Sequence, residues 1–356
     1  MRFSFLTGNQ ETMEEFVQHF IKGLSTPFIL LIIAVTIYTL AKGADLLVDE
    51  AVILSLHWGV PKMLIGATII SLGTTLPEAA VSVLAAIKGE PGLALGNAVG
   101  SIICDTGLIL GTAALISPLP LTKKIVNRQG WIQLGAGFLL VISCIRFSRI
   151  DKTFTEGGNL PQFMGIIFVG LLIAYIWTSI QWVKNNDQDA IMGEVEEKPK
   201  RAGDFFVFIK MGFAFIMVVG SSWILIPAVQ ETATRFNVPE GIIAATLVAF
   251  GTSLPEFVTA VTAVRKGHGE LAVGNVIGAD ILNVLFVAGL AAAVTKGGLD
   301  ASAHFFRILF PAMLFILLTF RAGIFFSGSS LKRPFGFILI SSYIVILIVS
   351  YTHKVI

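Results

Sequence analysis

The stretch Gly73-Thr74-Thr75-Leu76-Pro77-Glu78 decides the reading of this chain, because it returns as Gly251-Thr252-Ser253-Leu254-Pro255-Glu256. Behind each copy stands a second repeated motif, Gly96-Asn97-Ala98-Val99-Gly100 and then Gly274-Asn275-Val276-Ile277-Gly278. Every pair is offset by 178 residues, as are Pro61 and Pro239 upstream. Residues 66–105 align with 244–283 without a gap, at 17 identities in 40 positions. Both copies lie inside long apolar runs. A carboxylate set directly after a helix-breaking proline, twice, at membrane depth, is costly unless something cationic lies between the two.

Composition agrees with that depth. Of 356 residues only 13% are charged and 55% are hydrophobic, where a soluble domain carries about 25% charged residues. Mean hydropathy is +0.83. The chain therefore reads as an all-α integral membrane protein. Apolar runs near 27–56, 60–87, 91–117, 129–147, 160–183, 204–229, 239–264, 269–294, 303–322 and 334–352 predict ten spans, since a spanning helix needs about 20 residues. The short alternating segments of a β-barrel are not seen. Residues 1–25 lack the basic start, apolar run and cleavage site of a secretory signal. Phe16, Val17, Phe20, Ile21 and Leu24 instead make one stripe opposite Glu14, Glu15, Gln18, His19 and Lys22, which predicts a short amphipathic surface helix. Cys104 and Cys144 fall inside predicted spans and form no disulfide framework or metal-ligand spacing. A net charge of +2 without a clustered basic face gives no footprint for nucleic acid.

The one strongly hydrophilic internal stretch runs from Lys184 to Asp204. It divides the chain into an N-terminal segment, 1–26, a first five-helix repeat, 27–183, a linker, 184–203, and a second five-helix repeat, 204–356. Five is odd, so the second half must enter the membrane from the other side, making the halves an inverted repeat whose broken helices meet near the midplane. Lys and Arg number 14 in the loops on the linker's side and 10 on the side of both termini. The positive-inside rule then puts the linker in the cytoplasm of a plasma-membrane protein and both termini outside.

The motif suits a hard cation. Pro77 and Pro255 have no N–H, so the carbonyls of Gly73 and Gly251, four residues back, lose their helical donor, and in hydrocarbon a bound cation can replace it. Thr74, Thr75, Thr252 and Ser253 add hydroxyls, and Glu78 and Glu256 add charge. Calcium takes six to eight oxygens in flexible geometry, and sodium also accepts carbonyls and hydroxyls. Zinc and copper would want paired His or Cys. Asn97, Ser101 and Asp105 are spaced by four and share a helical face, with Asn275, Ala279 and Asn283 as counterparts. Two ionised glutamates balance one divalent cation, and the third carboxylate, Asp105, is open between being ionised, so that three monovalent ions balance the site, and being held neutral by the surrounding low dielectric. Such a site can exchange the two kinds of ion because they cannot occupy it together.

The paired Gly-Thr-[Thr/Ser]-Leu-Pro-Glu and Gly-Asn-x-[Val/Ile]-Gly motifs resemble the α-repeats of the cation/calcium exchanger superfamily, specifically the prokaryotic sodium/calcium exchangers. Gly43-Ala44-Asp45 and Gly59-Val60-Pro61 fit as well. The resemblance implies a Ca²⁺/Na⁺ antiporter working by alternating access, not an enzyme, with transported ions and lipid as its partners, no cofactor and no obligatory protein partner. By position it implies Glu78 and Glu256 as central calcium ligands, assisted by backbone oxygens of Thr74 and Thr252. Thr75, Ser253 and Ser101 would serve sodium with the carbonyls of Ser71 and Ala249, and Asp105 and Asn283 would flank the centre. The first and sixth spans would be the moving pair. This chain departs from the family where Ala279 stands for a hydroxyl and Asp280 for an amide; Asp280 is open between tuning affinity and facing a water-filled vestibule. Gly100 and Gly278 stand where the proton-coupled branch carries a glutamate, which favours sodium. A Ca²⁺/H⁺ exchanger and, further off, a passive cation channel are the alternatives. Lys42 and Asp45, three apart, are expected to form a structural pair or to snorkel.

Overall fold

Prolines and left-handed glycines set where the helices begin and turn. The computed structural model describes residues 13–121, 123–186, 203–236 and 251–352. A short helix α1, Met13–Lys22, leads into α2, Thr26–Trp58. Pro27 lies in the first turn of α2, where a missing N–H costs nothing, and Gly59 closes the helix at φ 61° with its N–H on the Ser55 carbonyl. Helix α3, Lys62–Thr74, meets α4, Leu76–Ile87, at an angle of 43°. Pro77 again occupies a first turn, so it starts α4 and the break falls at Thr75. The turns after α4 and after the later helix Leu254–Arg265 are built alike, on Gly89 at φ 86° and Gly267 at φ 82°.

The remaining helices are α5, Pro91–Ile116; α6, Lys123–Cys144; α7, Gln162–Asn186; α8, Asp204–Arg235; α9, Leu254–Arg265; α10, Gly269–Val294; α11, Phe305–Ser327; and α12, Arg333–Thr352. Seven helices among the described residues are long and apolar enough to cross a membrane, and nine if each bent pair counts once. They coincide with the apolar runs, except that α6 begins earlier than expected and is followed by a helical segment, Phe147–Glu156, bent from it by 86°. The expected span 239–264 is seen only as α9, and its first half lies outside the described residues, as does most of the linker.

Burial ranks the helices. The apolar windows of α5 and α10 are 72% and 83% buried, against 28% for α2 and 17% for α12, so α5 and α10 form the centre. Outer helices present Phe28, Ile173, Phe205, Ile216 and Phe325 outward. So much exposed apolar area makes sense for a bilayer and not for water. Helix α2 lies along α8, with Leu40 and Ala44 against Val218 and Leu225. Gly43 permits the approach: a Cβ there would meet Met217 Cβ at 2.8 Å. Lys42 sits over the Tyr38 ring at 5.9 Å. Asp45 pairs instead with Lys266, at 3.5 Å, which corrects the expected Lys42–Asp45 pair: a cation from α9 reaches it first. In α1, Ile21 is buried against Ile29 and Ala228.

Two short antiparallel ribbons tie the halves together. Leu119–Pro120 pairs with Ser330–Leu331, and Gly158–Leu160 pairs with Leu299–Ala301. Each ribbon takes one strand from before the linker and one from after it.

Candidate cation site

The helix break at Thr75 and the start of α9 after Ser253 bring the two carboxylates into the middle of the bundle. Glu78 and Glu256 are each 1% exposed, in the first turns of α4 and α9. Their hydroxyl partners come from the opposite half. Thr75 Oγ1 donates to Glu256 Oε1 at 3.2 Å, and Ser253 Oγ donates to Glu78 Oε1 at 3.4 Å. The Thr74 hydroxyl also flanks Glu256, and Ser253 lies between Glu78 and Asp105. Glu78 is near enough to Glu256 and Asp105 for their charges to repel.

The asparagines of the Gly-Asn motifs join the same exchange. Thr74 Oγ1 reaches Asn275 Oδ1 at 3.5 Å, and Thr252 Oγ1 reaches Asn97 Oδ1 at 3.4 Å. Asn97 Nδ2 donates to the Glu78 carbonyl at 3.3 Å and to Ser82 Oγ at 3.0 Å. These two asparagines were legible as part of a polar face but not as links between the halves. At the end of that face Asn283 Nδ2 donates to Asp105 Oδ2 at 3.4 Å. Both residues open π-helical turns, Asp105–Ile109 and Asn283–Ala288, a local widening frequent at functional sites.

The other expected residues lie around this centre. Ser101 is buried one turn before Asp105 on α5. Ser71 is buried; its carbonyl accepts from the Thr75 N–H at 2.9 Å, and its hydroxyl lies where a Cβ on Gly278 would come within 2.6 Å. Ala249 falls outside the described residues. Close approach at the glycines is what lets the halves touch. A Cβ on Gly66 would meet the Asn275 nitrogen at 2.9 Å, one on Gly274 would strike the Met63 carbonyl, and one on Gly73 would strike the Phe215 ring of α8.

The donors are hard and incompletely used. Glu78 Oε2, Glu256 Oε2, Asp105 Oδ1 and Asn283 Oδ1 are buried and accept no hydrogen bond from the protein. Buried polar atoms are nearly always partnered, and among the described residues none of those buried as a whole is Lys, Arg or His. Among the described residues no three acidic, His or Cys side chains gather closely enough to hold a metal ion alone. A cation at this centre would have to take its remaining donors from hydroxyls, amides and carbonyls, the set that suits calcium and sodium.

A buried cluster of carboxylates and hydroxyls at the first turns of α4 and α9, inside a bundle of membrane-length helices, has the chemistry of a membrane cation-transport protein. Comparison with known proteins gives the family. The sodium/calcium exchanger protein family model matches residues 28–181 and, again, 206–352. The chain belongs to that family. It is 32% identical over 305 residues to the inner membrane protein YrbG of Escherichia coli, covering 84% of this chain and 89% of that protein. It is 31% identical over 350 residues to the sodium/calcium exchanger MaX1 of Methanosarcina acetivorans, covering 90% and 97%. A solved structure of the sodium-calcium exchanger NCX_Mj superposes with a TM-score of 0.73 at 25% identity, over 90% of this chain and 98% of that one.

Proposed function

We propose that this protein exchanges Ca²⁺ for Na⁺ across a cell membrane by alternating access, with Glu78 and Glu256 as the shared central ligands. The observation that carries the reading is the crossed pair of hydroxyl–carboxylate contacts, Thr75 to Glu256 and Ser253 to Glu78. Each half completes the other's carboxylate, so a cation held there is held by both. One Ca²⁺ balances the two glutamates. Sodium ions balance the same charge and Asp105 from Thr75, Ser253, Ser101 and the carbonyls of Ser71 and Ala249. An emptied cluster of repelling buried carboxylates resists crossing the membrane interior, which forbids leak without a counter-ion.

The architecture of this reading is ten spans in two inverted five-helix repeats, residues 27–183 and 204–356, with 239–264 supplying the tenth span. The separate family matches to the two halves and the strand-for-strand exchange of the two ribbons support it. In it α2 and α8, the outer pair packed on each other, move against the central helices. The linker lies in the cytoplasm and both termini outside.

The test is ⁴⁵Ca²⁺ uptake into proteoliposomes under an outward Na⁺ gradient or, separately, a pH gradient. Uptake driven by sodium and lost in Glu78→Gln and Glu256→Gln supports the reading. Uptake that ignores sodium and follows pH assigns the proton-coupled alternative, and flux without any counter-ion assigns a channel.

A further inference from the structure

Beside Glu78, Glu256 and Asp105, a further buried carboxylate stands outside the paired design. Asp280 on α10 is 2% exposed, and the residue 178 positions earlier is Ile102, so the other half has no equivalent. Its Oδ2 accepts from Gln133 Nε2 of α6 at 2.5 Å and from the Thr106 hydroxyl of α5. Gln133 Nε2 also lies 3.2 Å from Thr106 Oγ1, closing a triangle across three helices. The second carboxylate oxygen, Oδ1, is buried with no protein partner. Neither neighbour brings charge. Asp105 does, but of the same sign, near enough to repel.

Charge makes this arrangement incomplete. Glu78, Glu256, Asp105 and Asp280 place four carboxylates in one buried region that holds no Lys, Arg or His among the described residues. A single Ca²⁺ offsets two of them. Asp280 also belongs to its own polar set: its partners Thr106 and Gln133 are not among the hydroxyls that reach Glu78 or Glu256. That set is hard. With the Gln133 amide turned over, its Oε1 takes the place of Nε2 and joins the Thr106 oxygen and the Asp280 carboxylate. One formal charge with neutral oxygens fits a monovalent hard cation better than a divalent one, which favours several carboxylates.

We infer that Asp280, Thr106 and Gln133 form an alkali-cation position separate from the central pair and occupied together with Ca²⁺. The inference rests on the antiport reading for the Ca²⁺ at the centre, but its site is made of other residues. Binding there neutralises Asp280 and relieves its repulsion of Asp105, so Ca²⁺ and the alkali ion favour each other instead of competing. Sodium at this position does not exchange with Ca²⁺, unlike sodium at the glutamates.

Equilibrium binding of ²²Na⁺ to the purified full-length protein tests this without transport, with ⁸⁶Rb⁺ in parallel as the larger alkali ion. Expected is one alkali ion per protein that saturating Ca²⁺ does not displace, absent in Asp280→Asn, while that variant's ⁴⁵Ca²⁺ affinity stays within about tenfold, the size of a 1.4 kcal/mol coupling. Complete displacement of ²²Na⁺ and ⁸⁶Rb⁺ by Ca²⁺ in the unaltered protein overturns the proposal. So does an alkali-ion count unchanged by Asp280→Asn, which makes the triangle a purely structural contact. If Asp280→Asn fails to fold, Gln133→Met decides: it keeps the charge and removes one oxygen, and it should weaken the Ca²⁺-resistant ion severalfold. An unweakened ion in Gln133→Met counts against the site. Failure of the antiport reading looks different: Glu78→Gln then leaves Ca²⁺ binding intact, whatever Asp280 does.

Discussion

Asn283 donates to Asp105 across 3.4 Å, and the two residues occupy the same position in the two repeats, 178 residues apart. The neighbouring contacts obey the same relation: Thr75 to Glu256 maps onto Ser253 to Glu78, and Thr74 to Asn275 maps onto Thr252 to Asn97. At this pair the halves differ chemically, an acid facing an amide.

That placement makes the acid exchangeable between halves. Asp105→Asn removes a charge from the centre, and Asn283→Asp alone sets two carboxylates against each other. Either change should reduce sodium-driven ⁴⁵Ca²⁺ uptake about tenfold or more, the scale of one pKa-unit-sized interaction. The double exchange restores one acid and one amide across the same contact and should recover most of the loss. Such non-additivity is what a double-mutant cycle reports for residues in contact. Independent, additive losses would place the two residues in separate roles.

Removing charge at the glutamates is harsher. Breaking a buried charge interaction by neutralising one partner costs about 3–5 kcal/mol, so Glu78→Gln or Glu256→Gln should weaken ⁴⁵Ca²⁺ binding by roughly 100-fold or more. Thr75→Val and Ser253→Ala remove only a neutral hydroxyl, worth about 1 kcal/mol, and should weaken binding severalfold. Equal effects for acid and hydroxyl variants in a binding titration would remove the glutamates from the centre.

Much of this is legible in the sequence. The apolar runs anticipated the helices, and Pro77 marked the break because a proline is readily placed in a helix's first turn and removes a hydrogen bond from a helix interior. Partners across the repeat were not legible, because sequence spacing describes one helix at a time. Thus Thr75 reads as a neighbour of Glu78, three residues on, whereas its hydroxyl reaches Glu256. Lys42 and Asp45 look paired by spacing, yet Asp45 is taken by Lys266, 221 residues away. The Gln133–Asp280 contact spans 147 residues with no motif to announce it. The π-helical turns at Asp105 and Asn283 likewise carry no signature in the sequence that spacing could read.

The tight glycines predict a stability difference. In Gly278→Ala the new Cβ meets the Ala67 carbonyl at 2.5 Å and Ser71 Oγ at 2.6 Å. Backbone on α3 cannot give way cheaply, and overpacking costs about 1–3 kcal/mol. Gly135, on the outer face of α6, has open space around it among the described residues, and Gly135→Ala should be neutral or stabilising by up to about 1 kcal/mol. Thermal unfolding in detergent compares them. A Gly278→Ala protein as stable as the Gly135→Ala protein would mean the helices stand further apart than described.

The α2–α8 pair carries its own asymmetry. Lys210 of α8 reaches Glu50 of α2 at 2.7 Å, with the glutamate side chain 4% exposed and the lysine 49% exposed. Lys210→Met strands a buried carboxylate, whose second oxygen already lacks a partner, and should cost about 1–3 kcal/mol. Glu50→Gln leaves a lysine free to turn into solvent and keeps a hydrogen-bonding side chain in place, so it should cost less than about 1 kcal/mol. Both are read by thermal unfolding, and Glu50→Gln combined with Lys210→Met should recover stability relative to Lys210→Met alone. If Glu50→Gln proves the more damaging single change, the carboxylate does more than pair with Lys210, and the effect of Glu50→Gln on Ca²⁺ uptake would then show whether α2 uses it during transport.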